Sequence, residues 1–230
     1  MNLSKSLEFF DPSIVDSRIH IIGCGSVGST LAELLARFGL KKFTLYDFDR
    51  VEEKNVVNQM FFQNQVGQLK VDAVESMLLA INPALGDSAL TGPGSIKKVN
   101  TGWHGQKLAG YIFLCVDSID VRRQIVQENM NNLNIKAMFD FRTRLTDAQH
   151  YAARWSDQRE KDAFLASMDF TSAEARESTP VSACGVELGV APTVRAVCNA
   201  GVCNFINFVK TGEIKKLILT NPFAFMLDAM

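Results

Sequence analysis

The chain has 230 residues, a length that fits one large domain or one domain with an appendage. Hydrophobic residues make up 47% of it, which is ordinary for a globular protein with a full core. The 24 basic and 25 acidic residues nearly cancel to a net charge of -1. The overall charge therefore predicts neither a nucleic acid nor an anionic membrane as a partner.

Three further features of the sequence predict a reduced, cytoplasmic protein. No apolar run reaches the roughly 18–20 residues that a membrane-spanning helix needs. The amino-terminal residues include acids and lack an apolar core, which argues against a secretion signal. The five cysteines are an odd number and form no C-x-x-C pair, so a four-cysteine zinc site is not expected.

Strands and helices are predicted to alternate along the chain. Residues 1–17 are expected to form a short leader helix and a turn at Pro12, and residues 18–48 a strand–helix–strand unit. Apolar periodicity then predicts helices over 66–83, 118–134 and 191–212, and strands over 96–99, 111–117, 136–142 and 214–219. Residues 148–155 are expected to form an antiparallel hairpin with the strand before them. This order predicts an α/β fold: a Rossmann-like, mostly parallel twisted sheet with helices on both faces and an antiparallel extension near the C-terminus.

The first strand–helix–strand unit carries the most informative motif. An apolar strand runs into Gly-Cys-Gly-Ser-Val-Gly, and a helix, a second strand and an acid follow. This is the nucleotide-binding fingerprint in its full context. Gly23 permits the tight turn, Gly25 lets the backbone approach a phosphate, and Gly28 lets the helix pack close to the strand. Asp47, nineteen residues after Gly28, stands where a carboxylate can accept hydrogen bonds from a ribose. A turn without a ligand remains the alternative.

Polar residues after the second strand are denser than a dinucleotide oxidoreductase needs. They are Asp47, Asp49, Asn55, Asn58, Gln59 and, after Gly67, Lys70. A lysine near a helix start is a suitable partner for a triphosphate. Asp117 follows a buried strand at the edge where open α/β sheets bind ligands, and an acid there can hold Mg²⁺ against phosphate oxygens. These residue types favour ATP with Mg²⁺ over a nicotinamide cofactor.

Five ordered motifs resemble those of the ThiF/MoeB/HesA superfamily, the E1-like adenylyltransferases that activate ubiquitin-like proteins. The family pattern is G-x-G-x-x-G, D-x-D-x-V, S-N-L-x-R-Q, G-x-x-K and a late Asp. It stands here as GCGSVG, DFDRV, KNVVNQ, GQLK and VDSID. The resemblance implies a single adenylation domain over residues 1–230. Within it, 1–17 would be the leader helix, 18–125 the nucleotide-binding core, and 126–230 the region of the substrate, the cysteine loop and the C-terminal helix.

The resemblance also implies roles for the motif residues. The three glycines, Asp47, Asp49 and Asn58 would line the nucleotide site, with Asp47 on the ribose. Asn55, Gln59 and Lys70 would contact or position the phosphates, and Asp117 would support Mg²⁺ and the reacting phosphate. The implied chemistry is adenylation. The C-terminal glycine carboxylate of a ubiquitin-like or sulfur-carrier protein, or of a peptide, attacks the α-phosphate of ATP and pyrophosphate leaves.

Many family members then transfer the acyl group to a cysteine ahead of the last long helix, eight residues before a proline. Cys184 precedes Pro192 by eight residues, although the glycines at 185 and 189 are placed differently from the family motif. The predicted catalytic residues are thus Lys70, Asp117 and Cys184, and family members are commonly homodimers. An inert buried thiol is the alternative for Cys184, and a plain helix cap is the alternative for Asp117.

Two departures from the family pattern leave other functions open. Asn58 replaces the arginine of the R-Q pair, and the usual amino-terminal arginine has no clear match. A non-catalytic binding subunit and an NAD(P)-dependent oxidoreductase therefore remain alternatives. The arginines at 122, 123, 142 and 144 are expected on the surface, and the cysteines at 24, 115, 198 and 203 are expected to be buried packing residues.

Overall fold

The computed structural model describes residues 1–87, 94–177, 181–182 and 188–230, with the side chain of Arg176 left out. The strands are β1 Ile19–Ile22, β2 Phe43–Tyr46, β3 Ile96–Val99, β4 Gly110–Leu114, β5 Ile135–Thr143, β6 Ala148–Arg154, β7 Leu217–Asn221 and β8 Met226–Ala229. The α-helices are α1 Ser26–Arg37, α2 Lys70–Ile81, α3 Ile119–Asn129, α4 Gln158–Ala166, α5 Ser172–Glu177 and α6 Ala191–Thr211. None of the helices in these ranges is long and apolar enough to cross a membrane.

All eight strands form one sheet in the order β3-β2-β1-β4-β5-β6-β7-β8. The strands from β3 to β5 are parallel to their neighbours, whereas β6, β7 and β8 are joined to the sheet by antiparallel pairings. Strand β1 lies between β2 and β4, so the chain reverses its direction of travel across the sheet at β1. Ligands of open α/β sheets bind at such a reversal, outside the carboxyl ends of the strands.

Alternating strand residues supply two hydrophobic layers, one on each face of the sheet. Ile21 and Phe113 pack with α1, α2 and α6, whereas the neighbouring Ile22 and Leu114 pack with α3 and α4. Both sets are almost fully buried. The predicted mostly parallel sheet, covered by helices on both faces and extended by antiparallel strands, is therefore confirmed.

Two elements differ from the prediction. Residues 4–9 form hydrogen-bonded turns rather than a leader helix, and a short 3-10 helix, Pro12–Ile14, follows. This segment is held by apolar contacts: Phe10 is buried and its ring meets that of Phe38 edge to face. Strand β8 was not predicted, because its side chains are all exposed and show no alternation.

Candidate functional site

The glycine turn joins β1 to α1 as the sequence predicts. Gly23 has a φ of +96°, a backbone conformation that would be strained in a residue with a side chain. Its N–H donates to the Tyr46 carbonyl at 2.8 Å. A Cβ on Gly28 would stand 1.8 Å from the carbonyl oxygen of Gly23 and 3.1 Å from Ile21 Cγ2. The first glycine therefore makes the turn, and the third lets the helix pack against the strand.

Gly25 faces open space at the start of α1. No atom of the described residues lies within 4 Å of the position that its Cβ would occupy. Gly25 is also the N-cap of α1, and no described side chain caps the first turn of that helix. The helix N-terminus thus presents N–H groups that no described side chain caps, and the positive end of its dipole, to open space, which is the arrangement that binds a phosphate.

Asp47 lies directly beside this turn. Its Oδ2 accepts a hydrogen bond from Cys24 N at 2.7 Å, and its Oδ1 accepts one from Asp49 N at 2.8 Å. Burial raises the pKa of Asp47, and these backbone donors oppose the rise. Each carboxylate oxygen keeps a further lone pair, so the group can still accept a hydrogen bond from a ribose hydroxyl.

Lys70 is the first residue of α2, and only 8% of the residue is exposed. Its Nζ atom forms an ion pair at 2.8 Å with Oδ2 of Asp49, a carboxylate whose side chain is 53% exposed. The backbone N–H of Lys70 also donates to the Asp49 carbonyl. The pair places a fixed positive charge at the start of a helix, with a solvated acid as its partner.

The amide side chains of the loop before α2 have separate roles. Asn55 is buried, and its Oδ1 accepts from Glu52 N at 2.9 Å, which closes a local turn. Asn58 Nδ2 donates to the carbonyl of Gly189 at 3.4 Å, and so ties this loop to the segment before α6. Gln59 Oε1 is buried and meets no hydrogen-bond donor within the described ranges. An unpaired buried acceptor in this loop fits a ligand that brings a hydroxyl or an amino group.

Asp117 lies on the loop after β4, exposed at the carboxyl edge of the sheet. Its Oδ1 accepts from the N–H of Ser118, and Ser118 rather than Asp117 caps α3 through a hydrogen bond from Val121 N. The carboxylate is therefore available to a cation. No cluster of three or more metal-ligating His, Cys, Asp or Glu side chains occurs among the described residues, so Mg²⁺ here would take its remaining ligands from phosphate oxygens and water.

Two arginines expected on the surface are instead largely enclosed: Arg122 is buried, and the side chain of Arg142 is 14% exposed. Arg122 and Arg142 both pair with Asp140, whose side chain is fully enclosed. Burial opposes ionisation of Asp140, but the two guanidinium groups hold its pKa below the ordinary value. The surface expectation was wrong because it ignored the acid in the middle of the apolar strand β5. An acid there needs buried cations, and that was the available signal.

Of the cysteines, Cys24, Cys115 and Cys198 are core thiols. Burial raises the pKa of each, so none of the three is a ready nucleophile. Cys203 was expected to be buried but is exposed on the outer side of α6. Cys184 lies outside the described residues, so its role stays a prediction.

The carboxyl edge of the sheet thus brings together the glycine turn, Asp47, the Lys70–Asp49 pair and Asp117. A model of the ThiF family matches residues 10–212, most of the chain. The chain belongs to the ThiF family. The predicted family is therefore confirmed.

Curated relatives match this ThiF-family chain over part of its length. Ubiquitin-like modifier-activating enzyme 5 of Caenorhabditis briggsae is 44% identical over 71 residues, which cover 30% of this chain and 16% of the relative. The enzyme of the same name from Drosophila erecta is 33% identical over 144 residues, covering 58% and 35% respectively. The chain thus matches well under half the length of these relatives.

Solved structures share the fold over nearly the whole chain. PaaA superposes with a TM-score of 0.69 at 16% identity, covering 95% of this chain and 74% of that one. E. coli MccB, in a crystal structure with ATP, gives a TM-score of 0.67 at 16% identity, covering 95% and 65%. At this identity the likeness shows the fold alone.

Proposed function

We propose that this protein is an ATP-dependent adenylyltransferase that activates the C-terminal carboxylate of a small ubiquitin-like or sulfur-carrier protein, or of a peptide. The observation that carries the proposal is the open space at Gly25, faced by the first turn of α1, which no described side chain caps. Family membership supports it, as do relatives named for activating a ubiquitin-like modifier and a fold neighbour crystallised with ATP. We further propose that the protein works in the cytoplasm.

Each side chain at the carboxyl edge has a role in this proposal. The N–H groups at the start of α1 would hold a phosphate at Gly25, and Asp47 would accept from the ribose. Lys70 would place its charge on the phosphate chain, with Asp49 fixing the ammonium group. Asp117 would hold Mg²⁺, which neutralises charge on the phosphates when bound. Asn55, Asn58 and Gln59 would shape the loop over the nucleotide.

The chemistry then needs little from the protein beyond position and charge. The partner's C-terminal carboxylate oxygen attacks the α-phosphorus of ATP, and the bond from that phosphorus to the bridging oxygen breaks. The products are an acyl-adenylate and pyrophosphate. Lys70 and the N–H groups of α1 would stabilise the negative charge that shifts toward pyrophosphate, and the site would align the two reactants.

We expect the protein to bind ATP in preference to NAD(P). The Lys70–Asp49 pair places an ammonium group where it can bind a triphosphate. The nicotinamide-cofactor alternative gives Lys70 no such role. Thermal unfolding with Mg-ATP, ADP, AMP, NAD and NADP checks this. At 100 times its dissociation constant, ATP should stabilise the fold by about 2.7 kcal/mol. Stronger stabilisation by NAD or NADP would instead identify an oxidoreductase.

Cys184 is proposed to take the acyl group after adenylation. The support is its spacing from Pro192 at the start of α6, together with the burial of the three core thiols. We expect Cys184→Ser to keep pyrophosphate exchange but to lose a reductant-sensitive adduct with the partner on a non-reducing gel. Cys203→Ser, which removes the exposed helix thiol, is the control. An adduct that persists in Cys184→Ser and disappears in Cys203→Ser would move the nucleophile to α6.

A non-catalytic binding subunit is the second candidate. Asn58, where the family has arginine, binds the Gly189 carbonyl through Nδ2 and lacks a guanidinium charge for a phosphate. Such a subunit would bind the nucleotide or the partner without releasing pyrophosphate. Exchange assays therefore separate it from the first candidate.

We also propose that the protein is a homodimer. Exposed apolar side chains cluster at the β7–β8 turn, and Phe225 is 96% exposed in the left-handed conformation, with a φ of +52°. They border a groove of about 650 Å³ between α6 and the β7–β8 hairpin. Light scattering should give twice the chain mass for the wild type and one chain mass for Phe225→Asp, while Phe62→Asp, at an exposed phenylalanine elsewhere, stays dimeric. A wild-type protein with the mass of one chain would contradict this.

A further inference from the structure

Arg122 places a buried guanidinium group beneath the loop that carries Asp117. The residue is 6% exposed. Its Nη1 atom donates to the Asp140 carboxylate and, at 2.7 Å, to the Phe141 carbonyl. Its Nη2 atom donates to the carbonyl of Val116, the residue before Asp117. One side chain therefore joins the loop after β4 to the end of β5.

The peptide next to the one that Arg122 holds touches the glycine turn. A Cβ on Gly23 would stand 2.7 Å from the carbonyl carbon of Cys115 and 2.9 Å from Val116 N. The N–H of Cys115 donates to the Ile22 carbonyl at 2.8 Å. Gly23 thus contacts the Cys115–Val116 peptide, and Arg122 donates to the carbonyl of the following peptide, which joins Val116 to Asp117.

Asp140 compensates the buried charge of Arg122. Its Oδ1 atom pairs with Arg122 and its Oδ2 atom with Arg142 Nε at 2.6 Å. A guanidinium group buried without a carboxylate would carry a large desolvation penalty. Arginine also has a planar fork that reaches Val116 and Asp140 at once, whereas a lysine ammonium is a single point. The geometry therefore requires arginine and not merely a cation.

We propose that Arg122 is a positioning residue that fixes Asp117 at a set separation from the glycine turn. Its placement of the loop follows from the contacts alone, whereas its effect on Mg²⁺ rests on the proposed function. With Asp117 fixed, its carboxylate would hold Mg²⁺ at a set separation from the phosphate that the N–H groups at Gly25 would bind. Without the fork, the loop after β4 loses its tie to β5, and the carboxylate loses its fixed place.

Arg122→Lys tests this by two measurements. Hydrogen exchange should show faster exchange of the amides of residues 115–118 than in the wild type. Calorimetric titration of ATP should show that the Mg²⁺ concentration for half-maximal binding rises by about 10- to 100-fold, the usual effect of losing a partner that orients a metal ligand. Arg123→Lys is the matched control, because Arg123 donates to the carbonyls of Met168 and Phe170 instead. It should match the wild type in both measurements.

Wild-type exchange at 115–118 in a folded Arg122→Lys protein would overturn the positioning role, as would an unchanged Mg²⁺ requirement. If that variant does not fold, Arg122→Met, which leaves Asp140 paired with Arg142, carries the same two tests with the same outcomes. A wild-type protein that does not bind ATP would refute the proposed function. Hydrogen exchange would then decide the role of Arg122 by itself: faster exchange supports it, and unchanged exchange overturns it.

Discussion

Gly28→Ala should unfold or severely destabilise the protein, whereas Gly25→Ala should remain folded and bind the nucleotide more weakly. The new methyl group at position 28 would overlap the Gly23 carbonyl oxygen, which is backbone and cannot rotate away. We expect a loss of about 3 kcal/mol or more in the free energy of unfolding. Chemical denaturation monitored by circular dichroism measures this loss.

The methyl group at position 25 meets no described atom within 4 Å beyond its chain neighbours, but the backbone there has a φ of -75° and a ψ of -146°, outside the regions that alanine readily adopts. We therefore expect Gly25→Ala to lose about 1–2 kcal/mol of stability and to remain folded. ATP, however, would meet the methyl group in the open space at Gly25, and a clash of about 1–3 kcal/mol weakens binding by about 10- to 100-fold. Wild-type ATP affinity in Gly25→Ala would show that this space is not the phosphate site.

Lys70→Met and Asp117→Asn should each reduce pyrophosphate exchange by about 10²–10³-fold, because charges placed on the reacting phosphates count most in the transition state. Methionine keeps the buried stem of Lys70, and Asp49 is exposed enough to remain hydrated without its partner. Asparagine keeps the shape of Asp117 and removes its charge. Initial rates of exchange at saturating ATP measure the effect.

Two variants outside the site serve as matched controls for these changes. Lys98→Met removes a lysine that pairs with Asp72 and Glu75 beside β3. Asp120→Asn removes an exposed acid from the first turn of α3, three residues after Asp117. Both should exchange pyrophosphate at the wild-type rate. Equal losses in the controls and the site variants would mean that the assay reports stability rather than chemistry.

The sequence was most informative where one local rule decides the conformation. The glycine turn is an example. Its spacing predicts that the first glycine makes the turn and that the third lets the helix pack against the strand, and the structure shows a steric cause for each. The apolar strand before the turn is a second example, and the period of a strand explains why its Ile21 and Ile22 enter different hydrophobic layers. The turn and the strand depend on a few neighbouring residues, and both were predicted correctly.

The burial of Arg122 was missed because it depends on residues apart in the chain. Asp140 on β5 pairs with Arg122 from α3, the helix that follows β4, and the pairing of β4 with β5 brings the two together. Asn55 shows what the fold adds: its type suggested that it contacts or positions the phosphates, and the structure shows that its side-chain oxygen closes a turn at Glu52. Residue type shows which hydrogen bonds and ion pairs a side chain can form, and the fold determines which of them it forms.

Exchange of labelled pyrophosphate into ATP tests the central claim most directly. The assay would combine the wild-type protein, Mg-ATP and a panel of ubiquitin-like proteins and short peptides with free C-terminal carboxylates, each beside its C-terminally amidated form. We expect exchange with at least one free carboxylate, none with its amidated form, and loss of the exchange in Asp117→Asn. A folded protein that binds ATP but exchanges no pyrophosphate with any member of the panel would contradict adenylation and indicate a binding subunit.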